Sequence, residues 1–192
     1  MDLVFIGDCE KHDLTLTVAL LMKEFRNDEQ LIVVTDTTRS YRYFQGEASG
    51  IRIVTDSSEV QDKDCVAIYD WHQPTLPDCK GPAKIILVTA CDRSSLEYSQ
   101  ALLRESQVDG HMFVQTECAI TPKYVSTLLP VQRSYTYWDS PSRRINWVYD
   151  GRVDLRKVEP DFVQAVGELI EDLYEVTKPQ QKKLWTYVKK RR

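Results

Sequence analysis

Carboxylates and a histidine follow two of the predicted strands, where α/β proteins commonly place reactive groups. Asp36 comes directly after the apolar run 31–35, and Asp70 and His72 follow the run 65–69. Residues i and i+2 of an extended segment share a face, so Asp70 and His72 are expected on the same side. Two aspartates at one edge could hold magnesium-bound water or perform acid–base chemistry. Aspartate is also common at strand ends because it forms turns and caps helices, so both roles stay open.

A nucleophile for such a site would have to come from another strand end. Cys91 follows the apolar run 84–89 and is the candidate. No nucleophile motif such as G-x-S-x-G surrounds it. The hypothesis of an active enzyme therefore rests on Asp36, Asp70 and His72, with Cys91 beside them.

The turn after the first predicted strand occupies the position at which many α/β proteins bind phosphate. Such a loop needs glycines for close backbone approach, a lysine on the terminal phosphates and Ser or Thr on magnesium. A remnant of that set is present in Gly7, Lys11 and Thr15. The same turn also carries three carboxylates that would repel a triphosphate, those of Asp8, Glu10 and Asp13. We therefore expect no cofactor and no metal site, with weak binding of ATP and magnesium left open.

Short apolar runs alternate with amphipathic segments, which is typical of a parallel sheet covered by helices on both faces. The predicted strands are 3–6, 31–35, 51–54, 65–69, 84–89 and 112–114, with two less regular strands at 135–138 and 145–148. The predicted helices are 14–25, 93 to about 103, 122–129, and a last one from Pro160 that Pro179 is expected to end. The pattern predicts one three-layer α/β domain over 1–178, with its ligand edge at the carboxyl ends of the strands.

Charge and cysteine content limit the classes of function. The 192 residues carry a net charge of −4, but seven basic and no acidic residues occur from Lys178 onward. The preceding body therefore has 18 basic against 29 acidic residues, which disfavours nucleic acid as a partner. Five cysteines without a C-x-x-C pair, and an amino terminus without an export signal, predict free thiols and a cytoplasmic location.

The order of these elements resembles the ParA/MinD group of deviant-Walker ATPases, including its CpaE-like pilus-assembly branch, over nearly the whole chain. The family loop K-G-G-x-x-K-[ST] matches residues 9–15, but its two lysine positions are Cys9 and Leu14 here, with Thr15 at the Ser/Thr position. The family's catalytic and Walker B aspartates are matched by Asp36 and Asp70. Gln115 stands where the family has a purine-contacting asparagine. The resemblance implies a P-loop NTPase-like fold of the SIMIBI type.

A phosphate loop without the family's lysines and glycines, within the same order of strands and helices, implies a relative that does not hydrolyse ATP but keeps its protein-binding surfaces. We expect a pseudo-ATPase that acts as a scaffold or positioning factor in a bacterial pilus, secretion or conjugation-type assembly. Its partner would be an ATPase, another assembly component or a second copy of the chain. The second hypothesis is the enzyme described above. The third is a receiver-like domain, but such a domain requires a lysine after the strand 112–114, and this chain has none there.

The carboxyl-terminal segment 179–192 mixes basic and aromatic residues. In a helix, Leu184, Trp185 and Val188 would share one face. MinD proteins resemble this segment in carrying an amphipathic membrane anchor, which implies peripheral contact with the inner face of a membrane. A partner-docking peptide and a solvated terminus are the other interpretations. The tail residues assigned to these roles are Leu184, Trp185, Val188, Lys189, Lys190, Arg191 and Arg192.

Overall fold

The computed structural model describes residues 1–26, 30–55, 60 and 65–190, and an eight-stranded sheet runs through this part of the chain. The order across the sheet is β3-β4-β2-β5-β1-β6-β7-β8. Neighbouring strands are parallel except at the β3–β4 edge. The strands are β1 (Asp2–Ile6), β2 (Leu31–Thr35), β3 (Glu47–Ala48), β4 (Ile51–Val54), β5 (Val66–Trp71), β6 (Ala83–Ala90), β7 (Gly110–Gln115) and β8 (Ser134–Trp138).

Helices cover both faces of this sheet, which confirms the predicted three-layer α/β class. One face packs against α1, α4, α5 and α6, and the other packs against α2 and α3. A 3₁₀ helix at Tyr41–Phe44 lies on the first face. The helices are α1 (His12–Arg26), α2 (Arg93–Glu105), α3 (Pro122–Leu128), α4 (Pro141–Asp150), α5 (Pro160–Tyr174) and α6 (Lys178–Val188).

The central strand β1 shows why the apolar runs form a doubly covered sheet. Leu3 and Phe5 point into one core, whereas Val4 and Ile6 point into the other. Alternation in a strand sends successive side chains to opposite faces, so an unbroken apolar run suits a strand buried on both sides. The parallel register pairs Ile6 with Trp71 and therefore brings the ends of β1 and β5 to the same edge.

Two local predictions were wrong. Residues 145–148 were predicted to be a strand but lie inside α4, which begins with Pro141 and ends at Gly151 in the left-handed region (φ 61°). Proline is favoured at the first helical position and glycine just past the last one, so these two residues delimit a helix. Pro179 was predicted to end the preceding helix. It instead lies in the first turn of α6, where Thr177 and Gln180 form a capping box.

The tail prediction needs a larger correction. Leu184, Trp185 and Val188 do share a helix face, but that face is buried in the main core, at 8%, 7% and 5% exposure. The face is already occupied by this chain, so the interpretation of these three residues as a membrane- or partner-facing surface is wrong. The Lys189 ammonium lies 5.6 Å from the centre of the Trp185 ring, and Lys190 is exposed. Arg191 and Arg192 lie outside the described residues.

Among the described helices, none combines the length and the apolar character that a bilayer-spanning segment requires.

A buried histidine in β7 should make the stability of the fold depend on pH. Burial lowers the pKa of His111 from 6.5 to about 4, because the apolar surroundings disfavour the charged imidazolium. Its Nδ1 lies 3.2 Å from the Ser134 hydroxyl, and Nε2 has no hydrogen-bond partner among the described residues. Above pH 6.5 the ring is neutral in both states. Below it, the unfolded chain binds the proton more readily, and stability falls until about pH 4.

We therefore expect His111→Leu to flatten this part of the pH dependence. The difference between the unfolding free energies of the two proteins should change by about 3 kcal/mol between pH 7 and 4, since one pKa unit corresponds to about 1.4 kcal/mol. Urea denaturation across this range measures it. Identical slopes for the two proteins would contradict this account of His111.

Candidate functional site

A cleft of about 680 Å³ lies at the carboxyl edge of the sheet, where the sequence predicted a site. The loops that follow β1, β2, β5, β6, β7 and β8 form its walls. Asp36, Asp70, His72 and Cys91 all line it, so four residues from three separate strand ends come together as predicted. The remaining charged lining residues are Asp8, Glu10, His12, Arg39, Asp92, Asp139 and Arg144.

Gly7 is required in the first loop by close packing against a neighbouring strand. A Cβ atom at this position would lie 1.9 Å from the carbonyl oxygen of Val88 in β6. The Gly7 amide also donates to the Trp71 carbonyl oxygen at 3.0 Å, which fastens the loop to β5. The glycine of the phosphate-loop remnant is thus explained by backbone approach between strands.

Lys11 points into the protein and is not among the residues that line the cleft. Its side chain is fully buried. The ammonium Nζ donates to the Gly7 carbonyl oxygen at 2.8 Å and lies 3.0 Å from Oδ1 of Asp70. The lysine that could have met a phosphate is therefore held by an internal carboxylate.

Asp70 belongs to β5, which ends at Trp71, two residues further along than the predicted strand end. Its Oδ2 accepts a hydrogen bond of 2.7 Å from the hydroxyl of Tyr41 in the 3₁₀ helix. Burial raises the pKa of Tyr41 well above its usual value, and the negative charge of Asp70 raises it further, so the phenol stays protonated and donates. Thr15, the last remnant residue, uses its hydroxyl to bond the Lys11 carbonyl oxygen at 3.1 Å. Gly7, Lys11 and Thr15 all make internal contacts.

Asp36 joins the ends of β2 and β5. Its Oδ2 accepts from the backbone amides of His72 (2.8 Å) and Gln73 (2.7 Å), and its Oδ1 lies 3.1 Å from His72 Nδ1. Burial works against ionisation, but these hydrogen bonds outweigh it and lower the pKa of Asp36. The aspartate therefore orients the histidine and ties two loops together, with both carboxylate oxygens engaged. The enzyme hypothesis gains an oriented Asp–His pair but no free carboxylate.

The cysteines near this pair lack the environment of a nucleophile. Burial raises the pKa of Cys91, despite the Thr116 amide that donates to its Sγ at 3.3 Å. Burial also raises the pKa of Cys9 to about 12, although Lys11 lies nearby. A catalytic cysteine needs a lowered pKa, because the thiolate is the reactive form. Cys91 therefore lies in the predicted place without the electrostatics that its proposed role requires.

Arg143 is a buried residue of α4 that sequence reasoning missed, and it does not line the cleft. Its Nε and Nη2 donate to Oδ2 of Asp13 at 3.0 and 2.7 Å, its Nη1 pairs with Glu159, and its guanidinium carbon lies 3.9 Å from the centre of the Phe162 ring. At the second lysine position of the family loop, Leu14 is fully buried in the core.

The Asp13–Arg143 pair joins α1 to α4 across 130 residues of sequence. No local pattern signals such a partner, because 145–148 was interpreted as a strand and Arg143 as part of an irregular segment. A helix assignment with Pro141 at its first position would have placed Arg143 and Trp147 on one inward face, at i and i+4.

A metal-binding cluster is not found either. Within residues 1–26, 30–55, 60 and 65–190, no three His, Cys, Asp or Glu side chains are grouped so that they could hold a metal ion.

The arrangement defines an α/β protein with a P-loop NTPase-like fold whose first loop makes internal contacts. No protein-family profile and no curated protein matches the sequence. Among solved structures, the chain is similar to the MinD cell division protein of Aquifex aeolicus, with a TM-score of 0.59 and 10% identity over 93% of this chain and 99% of that chain. It is equally similar to the MinC:MinD cell division protein complex of the same organism, covering 97% of that chain. At this identity, the likeness establishes the fold alone.

The buried Lys11–Asp70 pair makes a specific prediction about stability. Lys11→Met leaves Asp70 buried without its cation, which should lower the unfolding free energy by about 3–5 kcal/mol. The double variant Lys11→Met/Asp70→Asn should recover a large part of this loss, because it removes the uncompensated charge and keeps an acceptor for Tyr41. Chemical denaturation of the three proteins provides the measurement.

Lys84→Met is the matched control, since Lys84 pairs with Asp109 at 2.7 Å on the partly exposed surface. Its loss should stay within about 1 kcal/mol. If Lys11→Met were no more destabilising than this control, Lys11 would not be a structural residue.

Proposed function

We propose that this protein is a non-hydrolysing, ParA/MinD-like pseudo-ATPase that acts as a protein-interaction scaffold or positioning factor. The main support for this proposal is the ion pair of Lys11 and Asp70. In this pair, the lysine of the phosphate-loop remnant neutralises the carboxylate at the Walker B position. Each group thereby loses the role it would have with bound ATP and magnesium. What remains usable at this edge is a shaped surface formed by six loops.

The charge of the cleft supports the same proposal. Apart from Asp70, five carboxylates face two guanidinium groups, which belong to Arg39 and Arg144. Both arginines are already paired, Arg39 with Glu10 at 3.3 Å and Arg144 with Asp139 at 2.8 Å. The nearby His12 side chain is the main cause that lowers the pKa of Glu10 to about 2, so this carboxylate stays ionised at neutral pH. A nucleoside triphosphate does not fit this site.

The partner that we infer is a protein. The solved MinC:MinD complex demonstrates that a protein of this fold assembles with another protein. For the present chain, we infer an ATPase or another component of a bacterial pilus, secretion or conjugation-type machine, with a second copy of the chain as the other candidate. Peripheral contact with a membrane would have to use the basic residues around Lys190, because the apolar face of α6 is buried.

Calorimetric titration of ATP and of ADP, each with magnesium, tests the central claim. We expect no saturable heat at nucleotide concentrations up to about 1 mM, because the cleft offers phosphate no unpaired cation among its described residues. A MinD protein that binds ATP serves as the positive control under the same conditions.

Magnesium-dependent binding that Lys11→Met abolishes would overturn the proposal, because Lys11 would then leave Asp70 to contact phosphate. Binding that survives this substitution would overturn it equally, since the cleft would hold nucleotide by other groups.

A further inference from the structure

An apolar groove of about 560 Å³ lies beside the cleft, between the 3₁₀ helix and α4. The side chains of Tyr43, Ile145, Val148 and Tyr149 line it, together with Pro141. Tyr43, Ile145 and Tyr149 are 48%, 64% and 89% exposed, which is unusual for large apolar groups gathered in one place.

The groove and the cleft are continuous. Glu10, His12, Ser40 and Arg144 line both of them and form a shared rim. The Ser40 hydroxyl donates to Glu10 at 2.7 Å, so the rim is held in place by a contact between two loops. A ligand that lies across the rim would therefore meet an acidic surface on one side and an aromatic surface on the other.

His12 provides an independent indication of a ligand at this rim. The ring is only 3% exposed, yet its Nε2 has no hydrogen-bond partner among the described residues. Its Nδ1 lies 3.4 Å from Glu10 Oε2, close enough for an ion pair when the ring is protonated, but likewise makes no hydrogen bond within the described residues. A buried polar atom without a partner costs about 1–3 kcal/mol. A peptide carbonyl bound across the rim would supply the missing acceptor.

The remaining charge determines which ligand fits. Asp8 is an exposed carboxylate of the cleft, without an ion pair among the described residues, and Asp92 is a second one that also caps α2. Both line the cleft, and neither lines the groove. Negative charge next to aromatic side chains favours a cationic group on an apolar scaffold, through Coulomb attraction and cation–π contact.

We propose that the cleft and the groove form one docking surface for a basic segment of a partner protein, with lysine or arginine in the cleft and an aromatic or aliphatic side chain in the groove. This inference rests on the proposed scaffold function and specifies the chemistry of its partner. The acidic wall opposes nucleic acids and anionic lipids. A small polyamine would satisfy the carboxylates but leave the groove empty.

Three short synthetic peptides test the proposal by fluorescence anisotropy with a labelled amino terminus: Lys-Lys-Trp-Lys-Lys, Lys-Lys-Ser-Lys-Lys and Glu-Glu-Trp-Glu-Glu. We expect the first peptide to bind and the second to bind at least tenfold more weakly, because it has no group for the groove. The acidic peptide should not bind. Binding of the first peptide should weaken as salt rises from 50 to 300 mM, because exposed charges are screened.

Paired substitutions separate the two parts of the surface. Asp8→Asn/Asp92→Asn removes charge while asparagine keeps the helix cap, and Ile145→Ser/Tyr149→Ser removes exposed apolar groups. Each double variant should weaken binding of the first peptide at least tenfold. Glu105→Gln and Tyr124→Ser are the matched controls, since both residues are exposed and line neither cavity, and they should leave binding unchanged.

Equal binding of the tryptophan and serine peptides would overturn the proposed docking surface. Unchanged affinity of the first peptide for either double variant would overturn it as well. Binding of the acidic peptide alone would do the same. These outcomes leave the proposed function standing as long as nucleotide does not bind in the calorimetric titration. Nucleotide binding to the cleft would instead contradict the proposed function itself, regardless of the peptide affinities.

Discussion

The ion pair between Lys11 and Asp70 is the constraint around which the rest of the carboxyl edge is arranged. It connects the loop after β1 to the end of β5, and the Tyr41 hydroxyl adds the 3₁₀ helix to the same carboxylate. Both charged side chains are almost completely inaccessible, at 0% and 1% exposure. A pair buried this deeply is tolerable only when further hydrogen bonds compensate each charge, and the Gly7 carbonyl oxygen and Tyr41 supply them. The path of the first loop follows from this requirement.

A second buried ion pair follows the same principle between α1 and α4. Asp13 lies in the first turn of α1, where a carboxylate is favoured by the helix dipole. Arg143 reaches it from α4 and stacks on Phe162, so the position of α4 depends on a charge in α1. Since α4 also carries the exposed Ile145 and Tyr149, the apolar groove owes its position to this pair. The loop and the groove are therefore consequences of two internal charge networks.

Most strands of the sheet, and the edge at which Asp36 and His72 meet, were predictable because both depend on local patterns. Continuous apolar runs are sufficient to identify parallel strands, and topology then brings Asp36 and His72 to one edge. The direction of Lys11 was not predictable in this way. A lysine in a turn can face solvent, a ligand or a carboxylate, and only the register that places Asp70 beneath it decides between them. The prediction for α6 failed for a related reason. Its apolar face is equally suited to a membrane and to the core, and only its packing against α1 and α5 decides between these two environments.

The chain shares its fold with MinD structures at only 10% sequence identity, which indicates that the sheet and its helices constrain the sequence less than a phosphate site does. A sheet of this order can be built from any sequence that keeps buried strands and inward helix faces, because burial depends on apolar character more than on residue identity. A phosphate site, by contrast, depends on particular residues at particular positions. In this chain the first turn of α1 carries the buried carboxylate of Asp13, which requires a cation nearby, and Arg143 supplies it from α4. The framework therefore accommodates a buried charge beside the first loop because that charge is paired internally.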